Sequence, residues 1–315
     1  MELKSNQQPR QRGGFTVCEL LVVLIGIGVL LALLLPAVIH ARESARRASC
    51  TSQLREVGVA IHGFHSRHGR LPRAWRPLPT EPQFVWGWAT ELLPDLGEPS
   101  IQQQLQKVRG ITEIEPLAAA SLPVLLCPSD ISRGQFQLRA ESGQLWAERQ
   151  LTARGEFSSA DRPTRGDSQW LPTANYVGVF GTFEADDLDE LSETGPPPVA
   201  DGAIVHDQTI RFADLRRGLS RTIIVGERTM ATVPSTWLGV HLAGEDATCR
   251  LVGSAITHPN CAECDECEFS SRHTGGSNFL WADGHVEHIS DDVDTTAYRQ
   301  HAMRLAKKGM IAHAQ

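Results

Sequence analysis

Between Leu20 and Ile39 the chain carries no charged side chain over twenty residues, and no other feature constrains its fold more. A helix rises about 1.5 Å per residue, so this run reaches roughly 30 Å, the thickness of the hydrocarbon layer of a bilayer. A single membrane-spanning helix is the expectation. Lys4, Arg10 and Arg12 precede the run and the bulk of the chain follows it. The positive-inside rule therefore places the short N-terminus in the cytoplasm and the remainder outside.

The remainder is long enough to fold. With 315 residues, 41% hydrophobic and 21% charged, the chain has the composition of one or two globular domains and not of a disordered one. Its formal charge is −7, or about −9 for a chain counted from Phe15. The globular part has no basic stripe of the kind that phosphate binding needs, so nucleic acid is excluded as a partner.

Two details set the apolar run apart from an ordinary secretory signal. The cleavage site of a signal peptide follows its apolar core, whereas the small-residue pair Gly13-Gly14 comes before the run. Glu19 then sits inside the run, where a carboxylate costs several kcal/mol, on the order of 3, unless it finds a partner. A cut after Gly14 creates an ammonium on Phe15, about one helical turn from Glu19 and able to pair with it in a neighbouring subunit. An uncleaved signal anchor is the competing reading.

The stretch "GGFTVCELLVVLIGIGVLLALLLPA" resembles the N-terminal cleavage and methylation motif of type IV prepilins and of the pseudopilins of type II secretion. The resemblance implies a prepilin peptidase that cuts between Gly14 and Phe15 and methylates the new Phe15 amine. It implies that Glu19 aligns like subunits in an assembly, and that Pro36 is the helix proline that permits a kink. Cys18, where the family usually has an aliphatic residue, is expected to act as a small hydrophobe.

Past the span, Cys50, Leu54, Val57, Ile61 and Phe64 are spaced four, three, four and three apart, which puts them on one helical face. Arg46, Arg47, Arg55 and Glu56 fall on the solvent side. The expected organisation is a cytoplasmic leader over 1–14, a membrane helix and assembly segment over 15–39, an amphipathic continuation over 40–67 and a head over 68–315. From His68 the texture is rich in Pro, Gly and Trp. Runs such as Val177–Phe180 and Thr222–Val225 read as strands, and Leu92–Leu105 contains a short helix. The fold class is therefore α+β and pilin-like: a long N-terminal helix packed on a globular head with an antiparallel β-sheet. Glu184–Asp201 reads as an acidic, proline-rich loop. Asp186, Asp187 and Asp189 lack the Asp-x-Asp-x-Asp-Gly frame of a calcium loop and read as solvated charges.

Near the C-terminus, His273 is followed by nine residues and then by Asp283-Gly284. This resembles the His-x(9)-Asp-Gly signature of a prepilin-like family of unknown function. That family also carries segments like "CTSQLREVGVAIHGFH", "CPSD", "NYVG" and "IIVGE", all present here in the same order. His273, Asp283, His285 and His288 are all side chains capable of metal binding or acid-base chemistry. The preferred reading is structural: "FLWADGHVEHI" is two strands around an Asp-Gly type I′ turn, within a hairpin over 273–289. In that register Trp281 faces Val286 and Phe279 faces His288. His273 is expected to bond a loop or the Glu227 carboxylate. No nucleophile is paired to it by spacing, so no enzyme activity and no cofactor are expected.

Six cysteines lie outside the span: Cys50, Cys127, Cys249, Cys261, Cys264 and Cys267. An even number in an oxidising compartment favours disulfides, with fifteen possible connectivities by the usual arithmetic. Cys50 and Cys127 are placed to staple helix to head. The competing reading is a metal site built from Cys249, His258, Cys261, Cys264 and Cys267. Two function classes follow. One is a single-pass inner-membrane subunit of a secretion or surface filament, whose partners are the prepilin peptidase, the assembly machinery of that membrane and like subunits. The other is an extracytoplasmic ligand- or metal-binding domain that uses the prepilin signal only for export and anchoring.

Overall fold

The computed structural model describes residues 17–110, 113–130, 134–140, 168–186, 200–231, 233–263 and 267–305. The chain divides between Ala45 and Arg46 into two compact units, and helix α1 (Val17–His68) contributes to both.

In the first unit the apolar residues of α1 point outward. The most apolar stretch has a mean hydropathy of 3.0 and none of it is buried. Leu33, for example, is 71% exposed. The helix continues through Pro36. It is long and apolar enough to cross a membrane.

In the second unit the last part of α1 buries the predicted stripe. Cys50, Leu54, Val57, Ile61 and Phe64 are covered, together with Gly58 and Ala60 between them. A buried Leu, Ile or Phe contributes about 1.5–3 kcal/mol, so this stripe fixes the helix to the head. Arg55 and Glu56 are solvent-facing as expected. Arg47 is half-buried instead and donates to the Thr274 carbonyl at 3.0 Å.

The strands form three sheets. β1 (Trp75–Leu78), β2 (Glu81–Gly87) and β8 (Gly239–His241) form one; β3 (Gln135–Arg139), β4 (Ser168–Ala174) and β7 (Ser235–Thr236) form another. The central sheet has the order β11-β10-β6-β5-β9, made of β5 (Tyr176–Gly181), β6 (Ile223–Glu227), β9 (Val252–Ser254), β10 (Gly276–Trp281) and β11 (Val286–Ser290). Its pairs are antiparallel except β5 with β9. The helical segment expected within Leu92–Leu105 is a 3-10 turn over Trp88–Leu92 and helix α2 (Pro99–Leu105), which starts on a proline as first-turn geometry favours. A short helix α3 (Glu115–Ala118) follows.

Side-chain alternation makes the central sheet a middle layer. Tyr176 and Phe180 of β5 and Leu280 of β10 join the apolar cluster that contains the α1 stripe. Val177, Val179, Phe279 and Trp281 point the other way, into a second cluster with Tyr298 and Ala302 of the C-terminal helix α4 (Thr295–Ala302). The period of two in the strands decides which helix each residue meets. Against Leu280, α1 presents Gly58, where a Cβ would lie 3.0 Å from Leu280 Cδ1.

The β10–β11 hairpin differs from expectation by one residue. The observed pairs are Leu280 with Val286, Phe279 with Glu287 and Asn278 with His288. The loop has three residues, not two. The Trp281 amide donates to the His285 carbonyl and the Gly284 amide to the Trp281 carbonyl, each at 2.9 Å. Among the described residues Gly284 takes φ +95, while Asp283 is not left-handed. This is a β-turn followed by a left-handed glycine, the usual three-residue hairpin loop, and it replaces the type I′ turn.

Candidate functional site

Segments far apart in sequence converge under α1. Cys50 comes from the buried face of that helix, and Cys127 follows the 3-10 turn Pro123–Leu125. Glu227 ends β6, and His273 lies in the approach to β10. All four are buried, with exposures of 0%, 3%, 1% and 2% respectively. One potential ligand atom from each lies within 4.8 Å of the others.

The distances define a chain of contacts. Cys50 Sγ is 2.7 Å from Cys127 Sγ, and Cys127 Sγ is 3.5 Å from His273 Nε2. His273 Nε2 is 3.3 Å from Glu227 Oε1. The other carboxylate oxygen, Oε2, accepts from the Asn278 amide at 3.3 Å and from Asn278 Nδ2 at 2.9 Å. His273 therefore meets the Glu227 carboxylate, as the sequence suggested.

The surroundings shift the titration of these groups. The hydrogen bond from Cys127 lowers the Cys50 thiol to about 6, against burial, with a further contribution from His273. Cys127 is pushed up, first as the donor to Cys50 and then by burial. Burial also raises the Glu227 carboxyl, but the hydrogen bond and charge of His273, with support from Cys127 and the Asn278 amide, hold it below its usual range. Two thiols, an imidazole and a carboxylate buried together can share protons, form a disulfide or coordinate a soft to borderline cation.

A frame of polar residues fixes the loops. Asn175 holds the Cys127 amide and also binds Asp130 and the Arg228 carbonyl. Asp130 in turn accepts from the Thr229 hydroxyl at 2.9 Å and the Met230 amide at 2.7 Å. The Tyr176 hydroxyl donates to Gln53 Oε1 at 3.0 Å, beside the Cys50 carbonyl. Asn175, Asp130, Tyr176 and Asn278 carry no individual signal in the sequence. Three of them stand inside the segments "CPSD" and "NYVG".

The other cysteines resolve differently. Cys249 and Cys267 form a disulfide. Sulfurs already bonded to each other are not thiolate ligands, so this bond takes Cys249 and Cys267 out of the metal reading that joined them to His258, Cys261 and Cys264. His258 Nδ1 instead meets the Pro259 carbonyl at 3.0 Å. Cys261 is disulfide-bonded, and Cys264 lies outside the described residues. Cys50 and Cys127, expected as a staple, are adjacent but stand as thiols, as does the exposed Cys18.

Of the remaining candidates, Glu19 and Pro36 lie in α1 of the first unit. Gly14, Phe15, Asp187 and Asp189 lie outside the described residues. Asp186 is exposed, 3.5 Å from Cys267 Sγ. Asp283 sits at the hairpin tip, where its Oδ1 accepts from the His285 amide at 3.1 Å and meets His285 Nδ1 at 2.5 Å. His288 bonds Asn278 Oδ1 at 3.2 Å. Asp283-Gly284 thus forms a turn, and His273 belongs to the buried cluster.

A family model described as "Protein of unknown function (DUF1559)" matches residues 39–296, most of the chain, and the chain belongs to that family. No curated protein and no solved structure matches it.

Proposed function

We propose, for this DUF1559 member, the role of a membrane-anchored pilin-like subunit, processed by a prepilin peptidase and assembled with like subunits through its N-terminal helix. The observation that carries this reading is the apolar stretch of α1, which exposes every residue of a segment with mean hydropathy 3.0. Such a surface is costly in water and matched by lipid or by the same helix of neighbouring subunits. The resemblance of the flanking sequence to prepilins adds the rest. Cleavage after Gly14 leaves an ammonium on Phe15, and Glu19 pairs with it in the next subunit, offsetting the cost of a carboxylate at membrane depth. The N-terminus lies in the cytoplasm, the head outside the inner membrane, and the role is structural and not enzymatic.

Intact-mass and N-terminal peptide analysis of the membrane-extracted protein tests the processing step. The mature chain is expected to begin at methylated Phe15, and Gly14→Val to accumulate the uncut precursor. A wild-type chain that retains Met1 refutes the prepilin route. Assembly is tested by cross-linking in membranes: Glu19→Ala is expected to be cut normally yet lose its multimers. Equal multimer yield in variant and wild type removes the helix-mediated assembly.

A further inference from the structure

We propose that Cys50, Cys127, His273 and Glu227 bind one divalent transition-metal ion of the zinc class, closing a structural centre between α1 and the central sheet. This goes beyond the anchoring role and does not depend on it.

The ligand chemistry fits. Structural zinc sites are tetrahedral and take Cys sulfur at about 2.3 Å, His nitrogen at about 2.0–2.1 Å and carboxylate oxygen at about 2.0–2.2 Å. Tetrahedral angles turn these lengths into ligand–ligand separations of roughly 3.5 Å for S to N and roughly 3.3 Å for N to O. Cys127 Sγ to His273 Nε2 is 3.5 Å and His273 Nε2 to Glu227 Oε1 is 3.3 Å. Two edges of the tetrahedron are therefore present. The third, between the sulfurs, is 2.7 Å against the roughly 3.7 Å that two thiolates on one ion require. Rotation of one cysteine side chain about Cα–Cβ supplies that opening.

An independent observation points into the same space. Glu227 Oε1 is buried and lies 3.3 Å from His273 Nε2, inside the group of four potential ligand atoms. Its companion Oε2 is oriented by two donors from Asn278. A carboxylate with one oxygen clamped by an outer residue and the other aimed at a group of soft donors has the layout of a metal ligand with its supporting shell. A Cys50–Cys127 disulfide alone would account for the two sulfurs. It would leave the buried Glu227–His273 pair facing an apolar bridge that offers neither group a ligand contact. One cation uses all four.

Four protein ligands leave no open position, which makes the centre structural. On binding, both thiols release their protons to water and the imidazole coordinates through Nε2 in its neutral form. The ion would tie four separate segments: helix α1, the turn after Leu125, the end of β6 and the approach to β10.

Co2+ titrated into the detergent-solubilised full chain, with metal content measured on the protein as isolated, tests this. The wild type is expected to hold a single equivalent of zinc and, after exchange, to show a thiolate-to-cobalt charge-transfer band. Cys127→Ser should lose the band, and Glu227→Gln should keep it with altered energy and at least tenfold weaker affinity. The Glu227 variant preserves side-chain shape and serves if the cysteine variant fails to fold. An unchanged band in Cys50→Ser and Cys127→Ser places the metal on other thiols and overturns the proposal. Peptide mapping without reduction that finds Cys50 linked to Cys127 in a metal-free protein overturns it as well.

Discussion

Asn175 Oδ1 accepts the amide of Cys127 at 2.9 Å, so a buried side chain between β4 and β5 sets the position of a cysteine forty-eight residues earlier. The same amide group donates from Nδ2 to Asp130 Oδ2 at 2.5 Å and to the Arg228 carbonyl at 3.0 Å. Every polar atom of Asn175 is thereby used, and both of its chemical faces are needed. Asn175→Asp keeps the acceptor but turns the donor into an anion that faces Asp130 and a carbonyl. The expected loss is about 3–5 kcal/mol, the range for breaking a buried charged network. Asn175→Ala, which removes the group without adding a charge, should cost about 1–3 kcal/mol. Urea denaturation followed by tryptophan fluorescence compares them, and an Asp variant as stable as the Ala variant would contradict the assigned amide orientation.

Two glycines of the central sheet predict opposite kinds of damage. A Cβ on Gly226 in β6 would lie 2.7 Å from Phe279 Cε1 and closer still to the Phe269 ring, so Gly226→Ala should overpack the second core at about 1–3 kcal/mol. At Gly284 a Cβ would have nothing within 4 Å, but φ is +95. Gly284→Ala should therefore cost about 1–2 kcal/mol through the backbone alone, and Gly284→Val more, because a β-branched residue resists positive φ. Asp283→Asn should be nearly silent, since an amide oxygen still accepts the His285 amide. Thermal melts of the three variants should rank Asp283→Asn above Gly284→Ala above Gly284→Val.

The sequence carried the helix and the strands because periodicity survives in a single segment. The stripe from Cys50 to Phe64 repeats at helical spacing, and all five of its predicted positions are buried. The hairpin was legible as a hairpin. Its register was not, because Asp-Gly suits either the centre of a two-residue loop or the end of a three-residue one, and only the pairing of Leu280 with Val286 decides. The Cys-His-Glu cluster has no spacing at all: its members lie on four segments between Cys50 and His273, brought together only by the crossing of α1 over the sheet. Cysteine parity indicated disulfides without saying which, and no spacing in the sequence selects the observed Cys249–Cys267 link among the fifteen connectivities.

Stability should fall on mild acidification. Burial lowers His288 from 6.5, with further lowering from Arg47 and His273, and burial also lowers His65 from 6.5. The unfolded chain takes up these protons first as pH falls. Between the unfolded and folded pKa values it binds more protons than the native state, so stability rises with pH in that window. Loss begins near 6.5, the unfolded value, and levels off below the folded one. The physical cost at His288 is a second ring N–H, because Nε2 is buried without a hydrogen-bond partner while Nδ1 is used by Asn278. His288→Gln should flatten the dependence of the urea midpoint on pH between about 7.5 and 5.5, on either side of the free-imidazole value. An unaltered slope would assign the effect to other groups.

Arg228 and the Cys249–Cys267 disulfide should prove energetically coupled. The guanidinium is fully buried and donates from Nε to the Glu268 carbonyl at 2.9 Å and from Nη2 to the Val252 carbonyl at 3.1 Å. It also binds the carbonyls of Cys249 and Cys267 themselves. Burial lowers Arg228 to about 9, which still leaves it charged at neutral pH. A lysine has a compact ammonium with three donors and lacks the planar fork that reaches carbonyls on several sides. Arg228→Lys should therefore leave buried carbonyls unpaired and cost about 3–5 kcal/mol. The disulfide spans eighteen residues of sequence, and closing such a loop in the unfolded chain is worth about 3 kcal/mol by the chain-entropy account. Replacing both cysteines by serine should lose about that amount and loosen the carbonyls that Arg228 binds. In the combined variant those carbonyls have already been released, so the total loss should fall short of the sum by about 1 kcal/mol or more. A double-mutant cycle on urea midpoints measures the shortfall, and strict additivity would mean that the buried arginine holds these strands independently of the bond beside it.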